Sequence, residues 1–451
     1  MAENDPTRTP PPSGSAAAVA ERAPTPAAAG RSPFARIRTF KSLEHREFRL
    51  LWLGIVGGST SQWMEQVLLG WMAYELTGSA LALGLVNAFR AVPSLLAAPL
   101  GGVAADRMDR KKLMMFSQLI LLAAAAALCL LLVLGHLEIW HLYLFAFVTG
   151  VGWSFNQPVR QSLLPNLVPR ADFYNAIALQ SSAFQLTRLV GPSLAGVLIA
   201  SFGPASVLFV EIWLFLAVLW GTQQMHIPPL LGKPKKEPVL DTLKAGFTYI
   251  RDYKELFSVM LMALIPQLFA MPYFTVLPVF AKEVLGVGPV GFGVLSTMPG
   301  VGAAAATLTV ATVGGFRNTG RILVIAAIGQ GCTIMLLAAT GLAPREPFLW
   351  DWVSPAFLLC CGMLVFVGGC VMTYNTLSNT LVQTLSSDEM RGRVASVYMF
   401  NQGIQPLGTT WAGFMASLPL LGVEGAYLVM GITTIVMAAT LNFKFPTVRR
   451  L

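Results

Sequence analysis

Residues 101–112 read GGVAADRMDRKK, a cluster of charges between two of the most apolar segments of the chain. Two aspartates, two arginines and two lysines fall within seven positions. The apolar segments on either side, residues 80–104 and 112–135, are each long enough to cross a bilayer, which takes about 20 apolar residues as a helix. A short turn that carries both charge signs between two such segments is typical of a polytopic helical membrane protein.

The composition of the whole chain favours the same class. Of its 451 residues, 55% are hydrophobic and only 12% are charged, whereas about 25% are charged in a typical soluble protein. The apolar runs are unbroken, which excludes a transmembrane barrel because barrel strands alternate apolar and polar residues. The five cysteines lie within apolar segments and the four histidines are scattered. We therefore expect no metal site, no disulfide framework and no cofactor.

The apolar segments predict twelve helical spans, six on each side of one long polar interruption. The predicted spans are 50–74, 80–104, 112–135, 139–163, 172–201, 205–225, 256–281, 288–313, 320–342, 353–380, 393–418 and 422–444. The predicted fold class is an all-α polytopic membrane protein with twelve transmembrane helices in two six-helix halves. The predicted regions are a disordered basic cytoplasmic tail and juxtamembrane segment (1–48), an N-terminal half (49–225), a cytoplasmic linker (226–255), a C-terminal half (256–445) and a cytoplasmic tail (446–451).

The distribution of positive charge predicts the orientation of the bundle. Lysine and arginine are enriched in the cytoplasmic loops of membrane proteins. With both termini cytoplasmic, only Lys282 and Arg345 of the 31 basic residues would lie outside, while Arg90 and Arg188 fall within spans. The net charge of +9 is therefore explained by the topology of a plasma-membrane protein. The expected partner is the lipid bilayer, and no nucleic-acid partner is expected.

The two predicted halves resemble one another in sequence. RLVGPSLAG (188–196) places Gly191 and Gly196 in the fifth span, and IQPLGTTWAG (404–413) places Gly408 and Gly413 in the eleventh. Gly408 follows Gly191 by the same number of positions as Gly413 follows Gly196. Two six-helix halves in a parallel repeat are the architecture of a large class of secondary transporters, which bind substrate near the midplane between the halves.

The charged turn resembles the loop between helices two and three of the major facilitator superfamily, written G-x-x-x-D-R-x-G-R-[RK]. The matching residues are Gly102, Asp106, Arg107, Arg110 and Lys111. Asp109 stands where many members have glycine. Four further stretches resemble the transmembrane secretion effector family, which includes enterobactin-exporter-like and macrolide-efflux-like proteins. These stretches are residues 62–86, 156–176, 188–203 and 385–400. The resemblance runs from about residue 42 to residue 445.

This resemblance implies a cytoplasmic gate. A carboxylate at Asp106 would accept hydrogen bonds from a helix N-terminus or from an arginine of the other half, and would stabilise the outward-facing state. Arg160 is one candidate partner for Asp106, and Arg391 and Arg393 form a second predicted latch. Alternatively, Arg110 and its two neighbouring lysines serve only the positive-inside rule.

The fifth span resembles part of the antiporter signature of drug exporters. Gly191 and Pro192 are expected to kink this helix, and the small residue Gly196 permits close packing on a neighbour. Plain helix packing is an equal alternative to a direct role in antiport. Arg188, three residues before Gly191, is expected to point towards the bundle interior or the inner mouth.

Ionisable groups within a bilayer are costly and are functional candidates by default. In the first span, Gln62, Glu65 and Gln66 share one face through their spacing. The resemblance implies that the first, fourth, seventh and tenth helices line a cavity. Its further polar candidates are Asn156, Gln157, Gln267, Tyr273, Tyr374, Asn375 and Asn379. Glu211, on the sixth span, is expected near the outer membrane boundary.

Glu65 is the leading candidate for a proton carrier. Desolvation favours its neutral form, whereas a nearby Arg90 in one conformation would favour the charged form. The alternatives are a permanent structural pair of Glu65 with Arg90, or plain polarity of the cavity.

These observations together predict a monomeric secondary transporter that exports small hydrophobic or amphipathic molecules, drug-like or siderophore-like, by proton antiport and alternating access. The alternatives are an importer or lipid flippase of the same fold, or a non-transporting membrane sensor or scaffold. No catalytic set can be assembled from the ionisable residues, so an enzyme is not expected.

Overall fold

The computed structural model describes residues 40–107, 109–226, 239–313, 318–344, 353–387, 389–402 and 404–445. Within these ranges the chain is helical and has no β-strand. The α-helices of the first half are α1 (Arg46–Thr77), α2 (Ala80–Arg107), α3 (Arg110–Val133), α4 (Ile139–Leu167), α5 (Phe173–Phe202) and α6 (Ala205–Gln224). Those that follow are α7 (Val239–Asp252), α8 (Lys254–Ile265), α9 (Tyr273–Val279), α10 (Pro289–Val313), α11 (Thr319–Ala339), α12 (Pro355–Leu385), α13 (Arg391–Gln402), α14 (Gln405–Ser417) and α15 (Gly422–Lys444).

Local signals explain where several helices begin and end. The chain leaves α1 at Gly78, whose φ of 60° lies in the left-handed region that glycine adopts without a Cβ penalty. Its N–H donates to the Tyr74 carbonyl. At the start of α12, the Ser354 side chain accepts from the Phe357 N–H and Pro355 occupies the first helical position, where its missing N–H costs nothing.

Asp109 has a definite structural role in the charged turn. Its side chain accepts from the backbone N–H groups of Lys111 (2.9 Å) and Lys112 (3.3 Å) and so caps the N-terminus of α3. Its φ is −60°, so this position does not require glycine. The departure from the superfamily pattern therefore supplies a helix cap without distorting the turn.

Replacing Asp109 with alanine is expected to lower the free energy of unfolding by about 1 kcal/mol, because two N–H groups of α3 lose their acceptor. Asp109→Asn, which keeps an acceptor, is the matched control and is expected to behave like the wild type. Thermal unfolding of the purified protein in detergent measures both. Equal losses for the alanine and asparagine variants would contradict the capping role.

The helices form two groups that pack in the same way. In the first half, α1 packs on α5 and α6, α2 packs on α4, and α3 packs on α4 and α6. In the second half, α12 packs on α8, α10 and α11, and α15 packs on α11 and α14. We call the end of the bundle where α1 begins the near end, and the end where α1 finishes the far end.

The two halves meet through glycines towards the far end. Helix α5 packs on α10, and α2 packs on α14. A Cβ added at Gly196 would lie 3.1 Å from the Cα of Gly293, and one added at Gly413 would lie 3.1 Å from the Cα of Gly84. The predicted repeat is visible here, because Gly196 and Gly413 make equivalent contacts with the opposite half.

Eight helical runs of the described residues are long and apolar enough to cross a membrane. They are Arg110–Val133, Arg170–Phe202, Ala205–Gln224, Lys254–Val284, Pro289–Val310, Thr319–Leu342, Pro355–Leu385 and Gly422–Lys444. The chain is therefore an all-helical membrane protein. The prediction of twelve spans goes beyond these eight runs and remains a prediction.

Two predicted spans are not single α-helices. The seventh consists of α8, a π-helical turn (Pro266–Ala270), α9 and a second π-helical turn (Phe280–Val284). Its prolines lack the N–H that an α-helix needs, which locally favours wider turns. The eleventh is divided into α13 and α14 on either side of residue 403, which lies outside the described residues.

The ends of the predicted regions can be described only in part. Residues 1–39, 227–238 and 446–451 lie outside the described residues. The end of the predicted juxtamembrane segment is packed onto the start of α5: Lys41 Nζ lies 2.6 Å from Asp172 Oδ1, and the Ser42 N–H donates to Asn175 Oδ1 (3.0 Å). The predicted linker contains helix α7, which packs against α13.

Candidate functional site

Glu65 is enclosed within the first half of the bundle. Its side chain is 0% exposed, and its Oε1 accepts from Thr149 Oγ1 of α4 (3.1 Å). A guanidinium nitrogen of Arg90, on α2, lies 3.6 Å from the same oxygen. Oε2 is buried and makes no hydrogen bond of standard geometry to the described protein atoms, while the Trp153 side chain of α4 also interacts with the carboxylate. Three helices thus enclose this carboxylate.

Glu211 belongs to the same cluster, which sequence reasoning missed. It is 1% exposed on α6 and interacts electrostatically with both Glu65 and Arg90. The side chain faces the interior of the first half, a direction that the sequence did not predict, while its position near the outer boundary stays a prediction. The described part of this interior therefore holds two carboxylates beside one arginine, and a single proton would balance their charges.

Further buried polar atoms lie in the interior of the first half without a described protein partner. They are Ser59 Oγ, Ser61 Oγ, Gln118 Oε1, Trp153 Nε1, Asn156 Oδ1 and Arg160 Nε. They occur on α1, which carries Glu65, and on α3 and α4. In the described second half, the comparable atoms belong to Ser296, Gln330 and Ser378. The polar interior is therefore concentrated in the first half.

The structure distributes the predicted cavity residues over several environments. Asn156 Nδ2 donates to Ser117 Oγ of α3 (3.1 Å), within the first half. The Tyr374 hydroxyl donates to the Met262 carbonyl, which ties α12 to α8. Tyr273 is buried at 2% exposure, and its carbonyl accepts from the Tyr427 hydroxyl. These three residues hold helices together within one half.

The remaining cavity candidates are more accessible. Gln62 and Gln66 on α1, Gln267 in the first π-helical turn and Asn375 on α12 are half-buried. Asn379 is exposed and accepts from Gln383 Nε2 one turn later. The side chain of Gln157 lies outside the described residues.

The predicted gate can be located only in part. Gly102, Asp106 and Arg107 lie in the part of α2 whose side chains the structure does not describe. The pairing of Asp106 with Arg160 therefore stays a prediction. Arg160 itself is 4% exposed, and no described carboxylate lies within ion-pair distance of it. Its guanidinium approaches α1 at Gly58.

The described contacts of the other gate candidates lie within their own half. Lys111 Nζ donates to the carbonyls of Gln223 (2.7 Å) and Met225 (2.9 Å), so it joins α3 to the end of α6, while Arg110 is half-buried. Arg391 Nε donates to the Gln383 carbonyl (3.2 Å) at the end of α12. Arg393 contacts Met390, and its backbone lies against Gly246 of α7.

The helix-packing motif of α5 joins three helices. Gly191 lies against α1, where an added Cβ would come within 2.7 Å of the Trp63 Cβ. Pro192 lies inside α5, and its carbonyl approaches Gly293 of α10. Arg188, one turn earlier, places its guanidinium carbon 5.4 Å from the centroid of the Trp63 ring.

Charged and aromatic side chains join the halves at the far end. The Tyr74 hydroxyl of α1 donates to Glu283, and Lys282 Nζ lies 3.2 Å from Glu75 Oε2. Lys282 also lies 5.5 Å from the centroid of the Trp71 ring. Sequence reasoning missed these contacts, because nothing in the local pattern pairs residues from opposite halves.

Two buried carboxylates beside one arginine are chemically compatible with proton binding. Among the described residues, no group of three or more histidine, cysteine, aspartate or glutamate side chains has the geometry of a metal site. The buried carboxylates at Glu65 and Glu211 are the groups that can take up and release protons in the membrane interior.

Comparison with known proteins identifies the family of these helices. A family model described as transmembrane secretion effector matches residues 37–450. A staphyloferrin A transporter of Staphylococcus aureus is 25% identical over 84% of this chain and 92% of its own length. A macrolide efflux protein of Streptococcus pyogenes is 24% identical over 87% and 94%. An enterobactin exporter of Salmonella paratyphi A is 23% identical over 72% of each chain.

Solved structures share the fold. A nucleoside transporter, in a variant with one substitution, covers 89% of this chain and 100% of its own at a TM-score of 0.69 and 12% identity. A bacterial homologue of the iron transporter ferroportin, in an inward-facing state, covers 90% and 99% at a TM-score of 0.67 and 15% identity. At these identities the likeness concerns the fold alone, which is that of the major facilitator transporters.

Proposed function

We propose that this chain, which belongs to the transmembrane secretion effector family of major facilitator transporters, exports small hydrophobic or amphipathic molecules by proton antiport. Its relatives are transporters and exporters of drugs and siderophores, so it is a membrane transporter and not an enzyme. The proposal itself covers three properties: the proton is the coupling ion, the direction of transport is export, and the protein alternates between two states.

The observation that carries the proposal is the complete burial of the Glu65 side chain beside Arg90. An ionised carboxylate is costly to bury, whereas a protonated one is much less so. Glu65 therefore releases a proton readily only when Arg90 and water can stabilise the charge. A movement of α1 relative to α2 and α4 would change that balance, which is the requirement for coupling.

Glu211 extends this mechanism. With Arg90 charged, the cluster with Glu65 is neutral when it holds one proton and carries one negative charge when it holds none. Because Glu211 interacts electrostatically with both other members, protonation of one carboxylate changes the proton affinity of the other. The cluster would then exchange one proton in each transport cycle.

The proposed topology has twelve spans with both termini and the 226–255 linker in the cytoplasm. In that orientation the near end is cytoplasmic and the far end is outside. The Glu75–Lys282 pair and the glycine contacts would close the outer side in this state. Substrate from the cytoplasm would then enter between the halves from the near end.

Reconstituted proteoliposomes test this proposal. Purified protein is inserted into liposomes with a trapped pH-sensitive dye, and erythromycin is tested as substrate together with a catecholate siderophore. An imposed proton gradient is expected to drive accumulation of at least one compound, with matching proton movement in the opposite direction. Accumulation without proton movement would contradict antiport.

Importers and flippases of the same fold are the competing functions. Inside-out and right-side-out vesicles distinguish them, because an exporter accumulates substrate in inside-out vesicles when their lumen is acidic. Transport that is driven only in right-side-out vesicles would favour an importer.

A further inference from the structure

Arg188 lies where the two halves of the bundle meet. It projects from α5, and its guanidinium stacks over Trp63 of α1. Helix α10 of the other half also approaches this side chain, since its Cγ would lie 3.6 Å from a Cβ added at Gly300. Helices of both halves therefore lie beside this arginine.

No carboxylate of the described residues lies within ion-pair distance of Arg188. Glu65 and Glu211, the buried acids of the first half, interact with Arg90 instead. A cation in the membrane interior is costly without a counter-charge. The Trp63 ring offsets part of that cost, since a cation–π contact is stronger when it is desolvated.

Two other donors near Arg188 lack an acceptor among the described protein atoms. They are the buried indole Nε1 of Trp63 and the buried amide Nε2 of Gln185. Gln185 precedes Arg188 by three residues on α5, so the two side chains project from neighbouring positions of one face. All three groups donate hydrogen bonds and none of these atoms accepts one.

A set of donors around one positive charge is complementary to an anion. A guanidinium binds a carboxylate through two parallel hydrogen bonds, and the indole and amide N–H groups can supply further donors. The aromatic rings of Trp63 and Phe184, whose centroids are 5.8 Å apart, provide apolar surface beside the charge. The arrangement thus fits a molecule that carries a carboxylate on an aromatic or other apolar body.

From these contacts we infer that Arg188, Trp63 and Gln185 bind the carboxylate of an amphipathic anionic substrate between the two halves. The inference rests on the proposed transport function. It narrows the substrate class from small hydrophobic or amphipathic molecules to amphipathic organic acids. Glu65 and Arg90 do not belong to this site, since Glu65 is enclosed within the first half. Substrate and proton would therefore bind at separate places.

Binding of charge-matched probes tests the inference. The full-length protein in nanodiscs of zwitterionic phosphatidylcholine is equilibrated with tritiated 2-naphthylacetate, with the neutral 2-naphthylacetamide, and with a naphthylethylammonium ion. The wild type is expected to bind the acid about tenfold or more tightly than the amide, and the ammonium ion most weakly. Empty nanodiscs provide the background.

Three variants assign the preference to this site. Arg188→Gln is expected to bind acid and amide equally, and Arg188→Lys to keep part of the preference. Trp63→Phe keeps the ring but removes the N–H, so it is expected to weaken acid binding severalfold without affecting the amide. Arg170→Gln, at an exposed arginine, is the matched control and is expected to bind like the wild type.

The outcomes separate this inference from the proposed function, because binding requires no proton gradient. Equal affinity of the wild type for acid and amide would overturn the inference, even if proteoliposomes show proton antiport. An acid preference that survives in both Arg188→Gln and Trp63→Phe would also overturn it. A preference lost in these variants, in a protein without proton-driven transport, would contradict antiport and leave the anion site standing.

Discussion

Replacing Glu65 with glutamine is expected to abolish proton-driven accumulation of substrate in proteoliposomes, to the level of protein-free liposomes. Glutamine fills the same volume and can still accept from Thr149 Oγ1, but it cannot take up or release a proton. Exchange of labelled for unlabelled substrate across the membrane does not require net proton movement. We therefore expect exchange to persist in Glu65→Gln, and both rates are measured with the same protein.

Two further variants complete this experiment. Glu44→Gln, at an exposed glutamate of the near end, is the matched control and is expected to transport normally. Glu211→Gln is expected to reduce coupled transport, because it removes the second carboxylate of the cluster. Undiminished proton-driven accumulation in Glu65→Gln would remove Glu65 from the mechanism and leave a structural pair with Arg90 as its role.

Replacing Gly413 with leucine is expected to prevent the halves from closing at the far end. A Cβ at this position would lie 2.7 Å from the Ala80 carbonyl oxygen and 3.1 Å from the Cα of Gly84, so α14 could not approach α2 as it does here. Overpacking of this kind costs about 1–3 kcal/mol. When this energy is added to one of two conformational states of nearly equal free energy, the ratio of their populations changes by roughly 5- to 150-fold.

Spin labels at Ser79 and Ser417 measure the expected change. Ser417 is exposed and Ser79 is half-buried, both at the far end, and the five native cysteines, all free among the described residues, are replaced beforehand. Gly413→Leu is expected to lengthen the distance between the labels and to stop transport. Gly362→Leu is the control, since a Cβ added there meets nothing within 4 Å. Unchanged distances together with normal transport would show that this contact is not required for closure.

These two variants act on different parts of the cycle. Glu65→Gln alters the proton site inside one half and should leave the movement of the halves intact. Gly413→Leu alters a contact between the halves and should leave the proton site intact. Loss of exchange is therefore expected in Gly413→Leu only, which distinguishes coupling from conformational change.

The amino-acid sequence predicted most helix boundaries within a few residues. The predicted spans 139–163 and 205–225 correspond to α4 and α6, and the span 422–444 coincides with α15. Long apolar runs with polar breaks specify such boundaries, because each run must match the thickness of the bilayer. The interrupted seventh span and helix α7 were missed, since hydropathy does not reveal how a proline-rich segment turns or where a short amphipathic helix packs.

The polar site was predicted less completely than the helices. Spacing alone placed Glu65 and its neighbouring glutamines on one region of α1, but it did not predict that Glu211 faces the interior of the first half. Helix α6 is apolar on all sides, so its sequence has no periodicity that distinguishes a lipid-facing side from a bundle-facing side. The inward direction of Glu211 follows only from how α6 packs against α1 and α3.

By itself, the sequence determined that this chain is a helical membrane protein of the major facilitator class, because apolar length, the charged turn and the repeat are local properties of the chain. The sequence proposed Arg90 as a partner of Glu65, but only the tertiary structure decided the other meetings of polar groups: Glu65 with Glu211, Arg188 with Trp63, and Glu75 with Lys282. The physical reason is that these partners lie on different helices, far apart in sequence, and their contacts depend on helix rotation. Lipid-facing and buried sides of such helices are equally apolar, so hydropathy does not encode that rotation.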